Sequence, residues 1–146
     1  MSRVLNIKVK RVDVTLPLPK PATGGSVGFD LLCRRGVTVP ARKIRLVPVN
    51  LIVAVPPGYL FMIVSRSSLP LKRGLMVANG VGIIDQDYRG PEDEIHVQVY
   101  NFTDRLIEIQ RAERLAQGFF LGVEKIEWIE VEEVLGTSRG GFGSTG

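Results

Sequence analysis

Leu51-Ile52-Val53-Ala54-Val55-Pro56-Pro57-Gly58-Tyr59-Leu60-Phe61-Met62-Ile63-Val64 sets two short apolar runs on either side of a Pro-Pro-Gly break. Runs of this length, rich in β-branched and aromatic residues, read as strands, and the break reads as the turn between them. The same grammar recurs outward in both directions. Val12-Asp13-Val14-Thr15-Leu16 alternates and stops at Pro17, and Val37-Thr38-Val39 ends at Pro40. Ile95 to Val99, Leu106 to Ile109 and Lys125 to Val131 complete the expected strands. Helical periodicity is nearly absent, with one helical turn expected around Ser68 to Arg73. Many short strands between Pro/Gly turns predict an all-β fold, a sandwich or jelly-roll-like barrel.

At 146 residues the chain is most simply one domain with a real core. A hydrophobic fraction of 45% with 23% charged residues is that of a soluble globular protein. The net charge of +4 fits an anionic small-molecule ligand. No nucleic-acid partner is expected, because Lys8-Val9-Lys10-Arg11 and Arg34-Arg35 lack aromatic interleaving. Cys33 is the only cysteine, which excludes an intrachain disulfide and a cysteine-built zinc site. His96 is the only histidine and sits in the alternation Ile95, Val97, Val99, facing solvent. The start, Met1-Ser2-Arg3-Val4, lacks the apolar run of a signal peptide, and no stretch approaches a membrane span. The expectation is a cytoplasmic protein without a membrane partner.

Asn79-Gly80-Val81-Gly82-Ile83-Ile84-Asp85-Gln86-Asp87-Tyr88-Arg89-Gly90 carries the densest chemistry. A continuing strand would put Asp85 and Asp87 on one face, and the glycines allow close approach to the backbone. With Tyr88 and Arg89 beside them, these residues suggest a pocket for a planar anion. The tail, Gly136 to Gly146, has two open readings. It is a disordered glycine-rich end, or a loop whose N–H groups wrap phosphate with Arg139, Ser144 and Thr145.

Five blocks taken together resemble the trimeric dUTPase family: Gly28-Phe29-Asp30-Leu31, Ser65-Arg66-Ser67-Ser68-Leu69, Asn79 to Gly90, Arg114-Leu115-Ala116-Gln117, and Arg139 to Gly146. The resemblance implies a jelly-roll-like distorted β-barrel over residues 1–135 and a glycine-rich C-terminal lid over 136–146. It further implies a homotrimer with shared active sites. The implied reaction is hydrolysis of dUTP to dUMP and pyrophosphate, with Mg2+ on the triphosphate. Such an activity limits uracil incorporation into DNA and supplies dUMP for thymidylate synthesis. In a eukaryotic or viral source it would extend to the nucleus or host cell.

By the same resemblance, Asp85 orients and deprotonates the water that attacks the α-phosphorus. An ordinary carboxylate, with a pKa of about 4, is a weak base for water, so positioning must supply most of the acceleration. The strand pair around Asn79 to Tyr88 would form a hairpin that holds uracil through backbone groups, with Gly82, Ile84 and the Asn79 amide as contacts. A fixed backbone rejects cytosine by leaving buried groups unpaired, an effect worth ~10⁴–10⁵ in specificity. Tyr88 would pack under the deoxyribose and exclude a 2′-hydroxyl. Arg66, Ser67, Ser68 and Gln117 would meet phosphates, and Asp30 would hold waters on Mg2+ without any direct protein ligand to the metal. In the tail, Phe142 would stack on uracil and Arg139 meet the γ-phosphate, with Gly143 and Ser144 closing the lid. Blander readings stand beside these. Asp85 caps a turn, Tyr88 is a turn aromatic, Ser67 or Ser68 is a helix N-cap, and Asp30 is a structural acid.

Three departures from the family pattern stand out. Arg139 directly precedes Gly140-Gly141-Phe142, two residues short of the usual Arg-Gly-x-Gly-Gly-Phe-Gly, which shifts its Cα by up to about 7 Å. Pro91-Glu92-Asp93 reads as an inserted solvent loop. Gln110-Arg111-Ala112-Glu113 replaces a Lys-Gly-Asp turn, read as a neutral local change. The rival within the superfamily is dCTP deaminase, including its bifunctional form, but Gln98 stands where a glutamate would shuttle protons. A non-catalytic regulatory relative is the third reading, disfavoured by intact Asp85 and Tyr88.

Overall fold

A computed structural model of the chain describes residues 4–141 and 143. In chain order its elements are β1 (Lys8–Arg11), β2 (Phe29–Leu32), β3 (Val37–Val39), β4 (Ile44–Pro48), β5 (Leu51–Ala54), β6 (Tyr59–Ser65), α1 (Leu69–Arg73), β7 (Leu75–Val77), β8 (Val81–Ile84), β9 (His96–Asn101), β10 (Ile107–Ile109) and β11 (Arg114–Gly122). The quoted apolar runs become β5 and β6. Between them Gly58 takes φ 79°, and the Tyr59 N–H donates to the Pro56 carbonyl at 3.2 Å. The expected helical turn is α1, which starts after Ser68 and ends at left-handed Gly74.

The larger sheet runs β2-β11-β6-β8 and the second β4-β9-β7, with two-stranded ladders β1-β5 and β10-β3. Every ladder is antiparallel. Side chains from both sheets interleave in one core that includes Leu31, Phe61, Ile63, Leu75, Val97, Val99 and Leu115. Phe61 is its largest member. It stacks on Phe29 at 5.7 Å between centroids and meets Phe120 at 4.9 Å, and full burial of such a ring contributes about 2–3 kcal/mol. Gly118 lies under that ring, and a Cβ there would collide with it. The all-β, jelly-roll-like reading is borne out. No helix is long and apolar enough to cross a membrane among the described residues.

Two expected strands are corrected. Val12 to Leu16 is a turn, because the Asp13 carboxylate accepts from the Thr15 N–H at 2.9 Å and the Thr15 hydroxyl at 2.5 Å. Those bonds and Arg111 hold the Asp13 carboxyl down at about 2. The strand forms earlier, at β1, paired with β5. Lys125 to Val131 forms no strand either. The last bond back to the body is Val123 N–H to the Gly58 carbonyl at 2.9 Å. Beyond it Ile126, Trp128, Ile129 and Val131 are exposed, since a strand needs a partner and none is in reach among the described residues. Sequence reasoning also missed β2, β4, β7 and β11 as strands.

The Gln110 to Glu113 turn is not neutral locally. Ala112 sits at φ 67°, the left-handed region that costs a residue with a Cβ about 1–2 kcal/mol. The glycine of a Lys-Gly-Asp turn would avoid that cost. Ala112→Gly is therefore expected to raise the free energy of unfolding by about 0.5–1 kcal/mol after glycine's extra chain entropy. Urea denaturation checks it, and a loss of stability would contradict the assignment.

Candidate active site

β8 is the outer strand of its sheet, paired with β6 on one side only. Its other edge therefore presents backbone N–H and C=O groups without ladder partners. A cleft of about 420 Å³ runs along that edge. Asn79, Gly82, Ile84, Asp85 and Tyr88 line it, so it gathers the expected residues of this block. Gly82 packs so closely on β6 that a Cβ would stand 3.3 Å from the Ile63 Cβ. The opposite wall comes from the second sheet, with Leu46, His96, Val97 and Gln98. Sequence reasoning did not place these wall residues in the site. His96 does alternate outward with buried Ile95 and Val97 beside it, but no local signal says which cleft a neighbouring sheet will face.

Two expectations about the block are corrected. β8 ends at Ile84, so Asp85 and Asp87 do not share a strand face. They lie in a turn whose Tyr88 N–H approaches the Asp85 carbonyl at 3.4 Å. The stretch is also no hairpin ladder. β7 pairs with β9 and β8 with β6, so Asn79 and Gly80 cross between the sheets. The turn beyond β8 is tied down at both ends. Gln86 Nε2 donates to the Tyr59 carbonyl at 3.1 Å, and the Tyr88 hydroxyl donates to the Glu94 carbonyl at 3.2 Å. Asp85 itself is exposed at the cleft. The inserted Pro91-Glu92-Asp93 forms a surface loop, closed by the Gly90 N–H on Asp93 Oδ2 at 2.6 Å.

Glu94 anchors this end of the cleft. Its buried carboxylate takes Arg34 Nε at 2.7 Å and Nη2 at 2.8 Å, with the Asn50 N–H at 3.0 Å. Burial pushes the Glu94 carboxyl up, but the Arg34 guanidinium and the Asn50 N–H outweigh it and leave it below its usual value.

A second cluster stands past the far end of β6. Arg66 Nε pairs with Asp30 Oδ1 at 2.9 Å, and Arg114 Nε is 3.8 Å from Asp30 Oδ2. Gln117 faces Asp30 across the β2–β11 ladder and donates to the Ser65 carbonyl at 3.3 Å. Ser68 occupies the N-cap position of α1, yet its side chain makes no capping bond, so its hydroxyl is left for another acceptor. Arg66, Ser68, Lys72, Arg73 and Arg114 line a cleft here; the last three were not expected in the site. Ser67 is exposed beside them. Among the described residues no group of three or more His, Cys, Asp or Glu side chains is placed to hold a metal.

The two clusters are far apart. Ile84 pairs with Phe61, which sets Asp85 level with Leu60, six residues before Arg66. At about 3.3 Å per residue the separation is roughly 20 Å. Among the described residues, none of the tail lines either cleft. Arg139 and Gly143 are exposed, while Phe142 and Ser144 lie outside the described residues.

The Asp30–Arg66 pair is about one-third exposed on each side, where an ion pair contributes at most about 1 kcal/mol. Asp30→Asn should therefore change unfolding stability by less than about 1 kcal/mol in urea. A loss of several kcal/mol would make Asp30 a structural brace rather than a site residue.

Comparison with known proteins agrees with this geometry. The family model described as dUTPase matches residues 15–146. A deoxyuridine 5'-triphosphate nucleotidohydrolase from Hydrogenobaculum sp. (strain Y04AAS1) is 40% identical over 146 residues, covering 97% of this chain and 99% of that protein. The crystal structure of dUTPase from Streptococcus mutans superposes with a TM-score of 0.77 at 32% identity, covering 85% of this chain and all of the other. Staphylococcus bacteriophage 80alpha dUTPase, solved with dUpNHpp, has the same fold, with a TM-score of 0.85 at 21% identity over 98% of this chain and 99% of that one. With the match spanning nearly the whole chain, both clusters included, this protein belongs to the dUTPase family.

Proposed function

We propose that the chain is a dUTP diphosphatase that hydrolyses dUTP to dUMP and pyrophosphate by in-line attack of water on the α-phosphorus. The observation that carries this reading is the cleft along the free edge of β8, with Asp85 and Tyr88 at one end. Uracil, with a donor between two carbonyl acceptors, is matched by backbone groups of an unpaired strand edge around Gly82 and Ile84. The Asn79 amide adds a side-chain contact. The tight seat of Gly82 on Ile63 supports a close-fitting floor that has no room for thymine's methyl group. Tyr88 takes the deoxyribose. Asp85 holds the water in line and accepts its proton as the bond to phosphorus forms and pyrophosphate departs. Deamination of dCTP has less support, because Gln98 on the cleft wall cannot relay protons.

Arg66, Ser67, Ser68 and Gln117 suit the β- and γ-phosphates, with charge-assisted bonds from the guanidinium. Consecutive phosphates cannot span the roughly 20 Å from Asp85 to Arg66 on one chain. This separation supports an active site shared between copies, as in a homotrimer. The exposed apolar arm supports it further, since Ile126, Trp128 and Ile129 would find cover only on another copy. The residues present fit Mg2+ carried by the triphosphate rather than a protein-built metal cage. Asp30, already engaged by Arg66, would hold the ion's waters. Bound to the phosphates, the ion would neutralise charge that develops on the departing pyrophosphate. The compact unit over 1–135 then carries the chemistry. The segment 136–146 closes as a lid, with Phe142 on the base and Arg139, Gly143 and Ser144 toward the phosphates. A cytoplasmic setting fits this role.

Asp85→Asn should lower turnover of dUTP with Mg2+ by at least about 10²-fold while leaving nucleotide binding within severalfold. Product chromatography and calorimetric titration check the two halves. Retained turnover would remove Asp85 from its role, and ammonia from dCTP with no dUMP from dUTP would overturn the activity itself.

A further inference from the structure

We propose that His96 is a positioning residue for the nucleoside end of the cleft, orienting Tyr88 through the carbonyl oxygen of Glu94. The proposal rests on the reading of this cleft as the nucleotide site. Two groups converge on that one oxygen: the Tyr88 hydroxyl at 3.2 Å and His96 Nδ1 at 2.8 Å. A carbonyl oxygen only accepts, and it has two lone pairs. His96 must therefore carry its proton on Nδ1 when neutral, which leaves Nε2 as the bare nitrogen. The tautomer is thus dictated by the contact.

Tyr88 needs such a tether. It lies on a turn beyond an edge strand and is 39% exposed, so packing alone does not fix its ring. The oxygen that holds its hydroxyl is itself fixed. The Glu94 carboxylate is clasped by Arg34 just past β2 and by the Asn50 N–H between β4 and β5. His96, the first residue of β9, supplies the second bond and lines the same cleft. A ring preset under the sugar improves binding equally in the ground and transition states. Its loss therefore falls on KM rather than on kcat.

The single histidine makes the test clean. Long-range proton–nitrogen correlation spectra of the full-length protein, above the ordinary imidazole pKa range, should show the Nδ1–H tautomer. His96→Phe keeps a ring and removes the donor. It is expected to raise KM for dUTP about three- to tenfold, the worth of one neutral hydrogen bond. His96→Asn, which returns an N–H near the Nδ1 position, should recover most of that loss. If His96 acts through Tyr88, adding His96→Phe to Tyr88→Phe should cost little beyond Tyr88→Phe alone. An Nε2–H tautomer, an unchanged KM in His96→Phe, no rescue by His96→Asn, or additive losses in the double variant would each overturn the proposal. Failure of the dUTPase reading would show separately, as absence of dUTP turnover by the unaltered protein, and the tautomer measurement does not depend on it.

Discussion

Strand β6 is hydrogen-bonded along both of its edges, to β11 over its whole length and to β8 over four residues. That double ladder is a ruler. It fixes Asp85 beside the first residues of β6 and Arg66 just beyond its last, and sheet geometry does not let either slide. A one-residue slip would turn Phe61 and Ile63 out of the core, where both are buried. The stability of the core and the spacing of the chemical groups are thus the same constraint. The same ladder keeps Asp85 and Arg66 at opposite ends of β6.

The free edge of β8 leaves backbone groups open along the cleft. Unpaired strand edges invite other chains, yet here a second sheet stands across the gap and leaves a cleft of about 420 Å³. Charge is managed by position. Among the described residues the one strongly buried carboxylate, Glu94, is held by Arg34 and Asn50, and its carbonyl holds the turn that bears Tyr88. Asp85, by contrast, is left exposed where it lines the cleft.

Much of the fold was legible because its strands end at local signals. Pro40, Pro56-Pro57-Gly58 and the β-branched runs before them mark β3, β5 and β6 without tertiary knowledge. β11 was missed because Gly118 breaks its pattern, and that glycine is there for Phe61 rather than for a turn. Val12 to Leu16 misled because an alternating pattern lost to the Asp13 side chain, which bonds its own backbone neighbour. Lys125 to Val131 has a strand's composition but no partner among the described residues. In the site, Asn79 to Tyr88 was legible as one contiguous block. His96, Gln98 and Leu46 were not, since they reach the cleft only through the packing of one sheet against another. Likewise the sequence order of Arg66 and Asp85 says nothing of the strand that separates them.

The central claim is that these two clusters work on one substrate only when supplied by different copies. Mixing tests it directly. Asp85→Asn and Arg66→Gln proteins, each inactive alone, are unfolded together in equal amounts and refolded. If each site draws Asp85 from one copy and Arg66 from its neighbour, random trimers should recover about a quarter of the unaltered activity per chain. Activity no greater than that of the two variants refolded separately would contradict the account and place a complete site within a single chain.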